Sequence, residues 1–539
     1  MKKIFATIFG SLLLGSMASV SAQGYQDGVD NFNADRMDVA KTILLNTLAD
    51  PSTDKAVSDY YLGQIAFAEG DFAAAQKYFS EGSTVNPQYG YNFIGLGQMA
   101  LKNGDKKAAE TYFKEALATD KKNAALIAGV ARAYFNVNPA LYAPEIEKNI
   151  AKALKESKNT EAAVYVLQGD MSALENPGDA AAKYEMAISM DADKNIVNRE
   201  AYVKYATTYF RVNPKFAIMK LEELNEKEPN SALAQRELAE KYYDNEQFGS
   251  ACIQYGKYMA NPNHFQNDEQ RYAGLLFSAG EHQKSLDIAN SVLAKDPNNE
   301  YMFRIIMMNK NAMKDFAGAE AAGRSLFNHP NADKIPNDYI LYADALADQE
   351  KYDEAVQILN QAITTYPDRV ELLPKLSDLQ RRAGDNVGSV ETMKKYLDGG
   401  NGSVQDIYTM ARNYDRLARS YEAGSPERIA AAQEGVKYIE MAIEKVPDNG
   451  SLYQMKGQLW FSIDAKDPTM AQAYEKMIEI FDADPANIDK RKDLYRSAYY
   501  LLGVHYSSTD KDKAKNYFGK YLELAPDDTE VRAIYDKLQ

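Results

Sequence analysis

The chain has 539 residues, of which 45% are hydrophobic and 26% are charged, and its formal net charge is −15. This composition is typical of a folded protein with a large core, since disordered chains are poorer in hydrophobic residues and richer in proline and glycine. A surface this acidic repels a phosphate backbone, and the basic residues form no block along the chain. The charge therefore argues against nucleic acid and anionic lipid as partners.

Residues 1–22 have the pattern of a secretory leader. Lys2 and Lys3 precede a short apolar run, and small residues end at Ala22. A membrane span needs about 20 apolar residues, so the pattern favours a cleaved signal peptide over a retained anchor. No cysteine stands at the cleavage point to carry a lipid. The sequence predicts export to the periplasm, with the cell surface or the medium as alternatives, and no membrane insertion after leader removal.

Residues 93–117 contain a glycine-rich stretch that allows two interpretations. A dinucleotide-binding turn would need a strand before the glycines and a helix after them. The stretch instead repeats the preceding sequence at an offset of 34 residues, which pairs Gly97 with Gly63, whereas Gly95 meets Tyr61. We therefore interpret Gly97 as a repeat position inside a helix.

Each repeat contains two apolar stripes of helical spacing, which predicts two short helices. A small residue precedes a proline by 12 residues at seven places, as at Ala75 and Pro87. Gly70 and Asp71 separate the helices, because glycine readily adopts the left-handed conformation that ends a helix. Helices of this length are marginal alone, so each pair must pack against its neighbours.

The predicted structural positions fall into three kinds. Glycines lie where the two helices of a repeat cross or where a helix ends, small residues lie where repeats pack together, and phenylalanines fill the space beside them. In two adjacent repeats these positions are Gly63, Gly70, Ala75, Phe79, Pro87, Gly97, Gly104, Ala109 and Phe113.

This 34-residue pattern resembles the tetratricopeptide repeat over nearly all of the chain beyond the leader. The resemblance implies an all-α fold, a right-handed superhelical solenoid of antiparallel helix pairs with about thirteen or fourteen repeats. We expect one array over residues 23–398 and a second over 404–539, whose last helix, 529–538, caps the solenoid. The glycine-rich residues 399–403 between them are either a hinge or a longer loop between repeats.

The sequence contains no recognisable catalytic or metal-binding motif. Its four histidines are scattered, no phosphate-binding or nucleophile-elbow motif is present, and Cys252 is the single cysteine. We therefore expect no enzyme activity, no catalytic residues, no cofactor and no metal. Cys252 could form an intermolecular disulfide, but it falls in the apolar pattern Ala251-Cys252-x-x-Tyr255, so we expect it to be a buried small hydrophobe.

The resemblance also implies a concave groove, lined by the first helix of each repeat, that holds proteins or peptides. Large side chains with directed hydrogen bonds are favoured anchors in such surfaces. The Lys and Asn pair with which some of these domains bind carboxylate tails is missing at the corresponding positions. The predicted groove residues are Tyr60, Gln64, Phe67, Tyr91, Gln98, Arg236, Tyr243, Tyr301 and Arg304.

Two functions remain open at this stage. The first is an exported interaction scaffold, similar to periplasmic repeat proteins of Bacteroidota that serve envelope assembly or secretion, with a protein or peptide partner and self-association also possible. The second is a glycan-binding protein of the outer-membrane sugar-capture type. Those proteins carry a lipidated cysteine and tryptophan-rich loops, whereas this chain has one tryptophan, Trp460. The sequence favours the scaffold.

Overall fold

The computed structural model describes residues 23–483 and 489–538; the predicted leader, residues 1–22, lies outside them. Every regular element of the described residues is helical, with 29 α-helices and the short 3-10 helices Gln266–Asp268 and Asp489–Arg491. The all-α prediction is therefore confirmed. The chain forms two compact units, divided between Ile305 and Ile306. We call them unit 1 and unit 2.

The boundary between the units falls within α17 (Glu300–Ala312). The helices before it are α1 (Tyr25–Asn33), α2 (Met37–Thr47), α3 (Lys55–Glu69), α4 (Phe72–Val85), α5 (Tyr91–Lys102), α6 (Lys106–Thr119), α7 (Ala124–Val137), α8 (Ala143–Ser157), α9 (Ala162–Ser172), α10 (Pro177–Ala192), α11 (Arg199–Tyr209), α12 (Pro214–Lys227), α13 (Ala232–Asp244), α14 (Phe248–Ala260), α15 (Glu269–Ser278) and α16 (His282–Lys295). The helices after it are α18 (Phe316–Asn328), α19 (Pro336–Ala347), α20 (Tyr352–Thr365), α21 (Leu372–Arg382), α22 (Asn386–Asp398), α23 (Val404–Ser420), α24 (Pro426–Lys445), α25 (Gly450–Ile463), α26 (Pro468–Asp482), α27 (Lys492–Tyr506), α28 (Lys511–Leu524) and α29 (Thr529–Lys537).

Odd-numbered helices up to α27 are the first helices of repeats, and even-numbered helices are the second. The two helices of a repeat pack together, as α3 does with α4 in unit 1 and α27 with α28 in unit 2. Each pair then packs on the next, as α4 does on α5. The core is consequently a row of clusters between adjacent helices, and one such cluster runs from Ile94 to Leu167.

The turns that contain glycine between the two helices of a repeat have the conformation that their sequence predicts. Gly70 ends α3 with a φ of +81°. The side chain of Asp71 then caps α4 by accepting the backbone N–H of Ala74 at 3.0 Å. Gly104 and Asp105 repeat this arrangement with a φ of +80°. Glycine adopts these positive φ values without strain. Other repeats place a different residue there, since Asp35, Glu246, Lys314 and Glu350 have φ values near +60° in the equivalent turns.

The two helices of a repeat cross at a small residue. A Cβ added at Gly63 would lie 2.3 Å from the Phe79 ring, and one at Gly97 would lie 2.3 Å from Phe113. Gly503 has the same relation to an aromatic ring in unit 2, at 2.7 Å. We call this position the crossing residue of a repeat. The small residues at which repeats pack together, such as Ala75 and Ala109, are fully buried.

Residues 399–403 form the loop between α22 and α23, which pack on one another. Gly400 has a φ of +77°, and Ser403 caps α23 in a reciprocal pair of hydrogen bonds with Asp406. The division between the units lies elsewhere in the chain. The hinge at 399–403 stays a prediction, as do the array boundaries placed on either side of it.

The expectation that Cys252 is buried is wrong in degree, because its side chain is only half-buried. Ala251, fully buried, occupies the face of α14 that packs. The next residue of a helix points about 100° away from that face, which leaves Cys252 at its edge. Burial and the nearby Glu281 raise the pKa of the thiol.

Candidate binding surface

The crossing residue determines which side chains of each first helix point away from the second helix of the same repeat. Residues three before, one after and four after the crossing residue lie on this outward face, as Tyr60, Gln64 and Phe67 do around Gly63. We call the surface formed by these positions the first-helix face. The predicted groove residues lie on this face. Its side chains are mostly paired in unit 1 and partly exposed in unit 2.

In α3 and α5 the predicted groove residues contact one another. Gln64 and Gln98 form a mutual side-chain hydrogen bond at 3.3 Å, and they are only 7% and 1% exposed. The Tyr60 ring lies 5.4 Å from that of Tyr91, and burial raises the pKa of Tyr60 to about 12. Phe67 contacts Phe72 of the following helix at 5.5 Å. These side chains are therefore in contact with neighbouring helices of unit 1.

Further along unit 1 the same face carries ion pairs. Arg132, in the position that Gln98 holds one repeat earlier, donates to Asp170 at 2.7 Å. Lys204 donates to both oxygens of Asp170 at 3.0 and 3.1 Å, and the Tyr184 hydroxyl donates to it at 2.9 Å. Burial raises the pKa of Asp170, but Arg132 and Lys204 outweigh that effect and hold it below its usual value. The carboxylate is therefore charged and fully paired.

The predicted residues of α13 belong to a second network. Arg236 donates to Asp268 at 3.1 Å and also pairs with Glu240. Glu240 in turn accepts from Arg271 at 2.7 Å. The guanidinium of Arg271 lies 4.4 Å from the centre of the Tyr243 ring. Arg236 and Tyr243 are thus held within unit 1 by cations and carboxylates of adjacent repeats.

The last two predicted groove residues lie on α17. The Tyr301 hydroxyl lies 2.8 Å from where a Cβ on Gly274 would be, so it approaches the backbone of α15 closely. Arg304 is 5% exposed. Whether any of the nine predicted groove residues binds a partner stays a prediction.

Unit 1 curves until its first helix meets later repeats. Besides packing on α2 and α3, α1 packs on α11 and α13. Arg199 of α11 donates to Asp30 of α1 at 2.7 Å, and Arg36 donates to Asp268 at 2.8 Å. These partners are separated by 169 and 232 residues in the chain. The first-helix face of unit 1 is therefore closed by its own first repeat.

Unit 2 begins in a similar way and then differs. Asp344 of α19 accepts from Lys375 of α21 at 2.7 Å. In α23, however, the residue after fully buried Ala411 is Arg412, and both Arg412 and Arg416 are exposed. Neither forms an ion pair or side-chain hydrogen bond with any residue that the structure describes. Helical spacing places Tyr408 on the same face, where it is half-buried against the hydrophobic cluster of α22 to α25.

The next two first helices expose apolar side chains at equivalent positions. Phe461, four residues after Gly457, is 41% exposed. Tyr500 and Val504, on either side of Gly503, are 40% and 47% exposed. We call the following side chains the exposed stripe of unit 2: Arg412, Arg416, Phe461, Tyr500 and Val504.

The predicted groove residues did not include the exposed stripe. They lie in the repeats whose pattern is clearest, and a clear pattern indicates good packing rather than a free surface. The sequence offers only the four-residue spacing of Arg412 and Arg416 on one helix, which does not show whether a neighbouring repeat pairs with them.

No group of three or more His, Cys, Asp or Glu side chains among the described residues could hold a metal ion. None of the helices in the described part of the chain is long and apolar enough to cross a bilayer. Trp460 packs between two hydrophobic clusters instead of standing in a loop.

Three family models match parts of the sequence, and each describes a tetratricopeptide repeat. They cover residues 60–124, 336–379 and 497–528. The chain contains tetratricopeptide repeats. These matches include repeats of both units, and between them lie helix pairs of the same design. No curated protein matches the chain in sequence.

Several solved structures are similar to this chain. The C-terminal part of a repeat protein from Cytophaga hutchinsonii is 18% identical, with a TM-score of 0.41, and the match covers 49% of this chain and 98% of that one. For a tetratricopeptide repeat protein from Parabacteroides merdae the values are 15%, 0.34, 48% and 98%. Yeast Tom70 is 13% identical, with a TM-score of 0.30, over 91% of this chain and 97% of that one. Likeness at this level of identity concerns the fold alone.

Proposed function

We propose that this protein is an exported, non-enzymatic scaffold of the cell envelope that binds a protein or peptide partner through the exposed stripe of unit 2. The observation that carries the proposal is the contrast at equivalent repeat positions. In unit 1 these side chains pair with one another, whereas Arg412, Phe461 and Val504 of unit 2 are presented to solvent.

The chemistry of the exposed stripe suits a peptide segment with both acidic and apolar side chains. Arg412 and Arg416 offer planar guanidinium groups that bind carboxylates through two hydrogen bonds. Phe461 and Tyr500 offer rings that bury large areas on contact, and arginine and aromatic side chains are enriched among the residues that dominate binding. Because the chain is acidic as a whole, two unpaired arginines also give the stripe a charge unlike its surroundings.

Location in the envelope, with a role in assembly or secretion, rests on the leader pattern of residues 1–22. Repeats of this kind hold partners and need no cofactor, which agrees with the lack of a catalytic motif in the sequence. The glycan alternative gains no support from Trp460, since its ring packs inside unit 2.

The proposal is tested by placing a photo-crosslinking amino acid at position 461 of the full-length chain in cells that export it. We expect a discrete protein adduct from the envelope fraction. The matched control places the same probe at position 98, which is 1% exposed and should give none. A second arm reverses the charges of Arg412 and Arg416 to glutamate and should reduce the adduct at least tenfold.

The double reversal has its own control in Lys121→Glu with Lys122→Glu, which makes the same charge change at an exposed turn of unit 1. Adducts that survive the stripe reversal, or that form equally at position 98, contradict the proposal. An adduct with a second copy of the chain would identify the stripe as a self-association surface. Binding to a glycan array without any protein adduct would also contradict it.

A further inference from the structure

A cavity of about 340 Å³ lies where α1 meets the later repeats of unit 1. Its walls come from α1, from the start of α11, from the turn before α13 and from the turn after α14. The charged residues that line it are Asp27, Asp30, Arg36, Arg199 and Glu228. Most of these side chains are held in place by one another, so the cavity is a formed site.

The charges around the cavity do not balance. Arg199 donates to Asp30 at 2.7 Å and to Glu228 at 2.9 Å, so one cation serves two carboxylates. Arg36 is directed away from them, to Asp268 at 2.8 Å. Asp27 forms no ion pair with any residue that the structure describes. The lining therefore has an excess of carboxylate, and even a half-buried carboxylate such as Asp27 loses hydration that no cation replaces.

Gln23, the residue that follows the predicted cleavage point, lies in the wall of this cavity. Its side-chain amide donates to the backbone carbonyl of Asn263 at 2.9 Å. The next backbone N–H, of Gly24, donates to the Asp27 carboxylate at 2.8 Å. Gln23 directly precedes Gly24, and consecutive Cα atoms are about 3.8 Å apart. The backbone nitrogen of Gln23 is therefore one peptide unit along the chain from the nitrogen that binds Asp27.

We propose that removal of the leader creates the missing cation: the α-ammonium group of Gln23 binds in this cavity against Asp27 and fastens α1 to the later repeats. The proposal rests on the proposed export, because the predicted cleavage falls between Ala22 and Gln23. In the uncleaved chain the same nitrogen is an uncharged amide. Processing thus completes the closure of unit 1.

Electrostatics decide whether an ammonium group is favourable at this position. The dipole of α1 disfavours a cation at the N-terminus of this helix. Three carboxylates favour it: Asp27 and Asp30 belong to α1, and Glu228 lies at the end of α12 on the same cavity. Burial raises the pKa of both aspartates, which indicates that their present partners do not fully compensate them. An ammonium group among them should be held in its charged form.

The direct readout is the pKa of the α-amine, obtained from the pH dependence of its reaction with an amine-selective reagent and measured on the N-terminal peptide by mass spectrometry. Protein that starts at Gln23 is made by removing a fusion partner that leaves no extra residue, and its mass is checked because N-terminal glutamine cyclises. We expect a pKa clearly above the usual range of about 7.7–8.0 for an α-amine. The matched control keeps Ser21 and Ala22 and should titrate within that range.

Two variants assign the effect to the cavity. Asp27→Asn should lower the α-amine pKa towards the usual range, whereas Asp38→Asn, at an exposed position of α2 outside the cavity, should leave it unchanged. Because the folded pKa is raised, the ammonium stabilises unit 1 fully below about pH 7.7 and loses that effect as pH rises through the folded pKa.

An ordinary or lowered α-amine pKa in the protein that starts at Gln23 overturns the proposal, as does a raised pKa that Asp27→Asn leaves in place. Since this protein is cut in vitro, the result does not depend on export. The intact mass of the exported protein answers that separate question, because cleavage elsewhere than after Ala22 would remove the biological premise while leaving the titration result standing.

Discussion

The first-helix faces of the two units use the same repeat positions for opposite purposes. In several repeats of unit 1 the residue after the crossing residue pairs with another repeat, as Gln64 does with Gln98 and Arg132 with Asp170. In unit 2 the equivalent Arg412 and Val504 are exposed. The repeat pattern therefore determines where a side chain is presented, while the identity of that side chain determines whether it stabilises the fold or remains available to a partner.

The largest effect expected from this comparison is at Asp170. Asp170→Ala would leave two cations, Arg132 and Lys204, without their buried partner, and breaking such a network costs about 3–5 kcal/mol. Chemical denaturation followed by circular dichroism measures this loss. Trp460 lies in unit 2 and is the one tryptophan of the chain, so its fluorescence follows unit 2 separately and should keep its midpoint. Equal shifts of both signals would contradict the separation of the two faces.

The same carboxylate predicts a pH dependence. The pKa of Asp170 is lowered in the folded state, so its stabilising effect is present above the unfolded value of about 3.9 and is lost as pH falls through the folded pKa. The difference in unfolding free energy between the native chain and Asp170→Asn should be constant above about pH 5 and should shrink below pH 4. A difference that grows on acidification would contradict the assignment.

The next largest effect is expected at the crossing residue, which both units share. Gly97→Ala places a Cβ 2.3 Å from Phe113, and Gly503→Ala places one 2.7 Å from Phe518. Each should destabilise its own unit by about 1–3 kcal/mol, because overpacking forces the rings to move. The control is Gly249→Ala, in a helix with no atom within 4 Å of the added Cβ, which should stabilise by about 0.5 kcal/mol. Tolerance of both crossing substitutions would contradict the close helix crossing.

Sequence reasoning succeeded for features that repeat within a few dozen residues. The helix pairs and the turn at Gly70 follow from local spacing and glycine chemistry, and each of these patterns recurs several times along the sequence. The closure of unit 1 could not be predicted, since Arg36 and Asp268 meet across 232 residues and occur once. The exposed stripe was missed because Arg412 and Arg132 have the same chemical character, and only the neighbouring repeats show which one is paired.

The smallest effects separate exposed positions of unit 2 from paired ones. Asp344→Ala breaks a half-exposed pair with Lys375 and should cost about 0–1 kcal/mol. Arg412→Ala removes no described ion pair and should change stability by less than about 0.5 kcal/mol. Thermal unfolding of the two variants beside Asp170→Ala checks the order of the three. A loss at Arg412 comparable to that at Asp170 would show that this arginine is structural.

Arginine-selective chemical modification, read residue by residue by mass spectrometry, tests the contrast between the two faces most directly. In the native protein we expect Arg412 and Arg416 to react about as fast as in the unfolded chain. Arg132, Arg236 and Arg271, paired with buried carboxylates in unit 1, should be protected until the protein unfolds. Similar native reaction rates at all five arginines would contradict a closed first-helix face in unit 1 and an open one in unit 2.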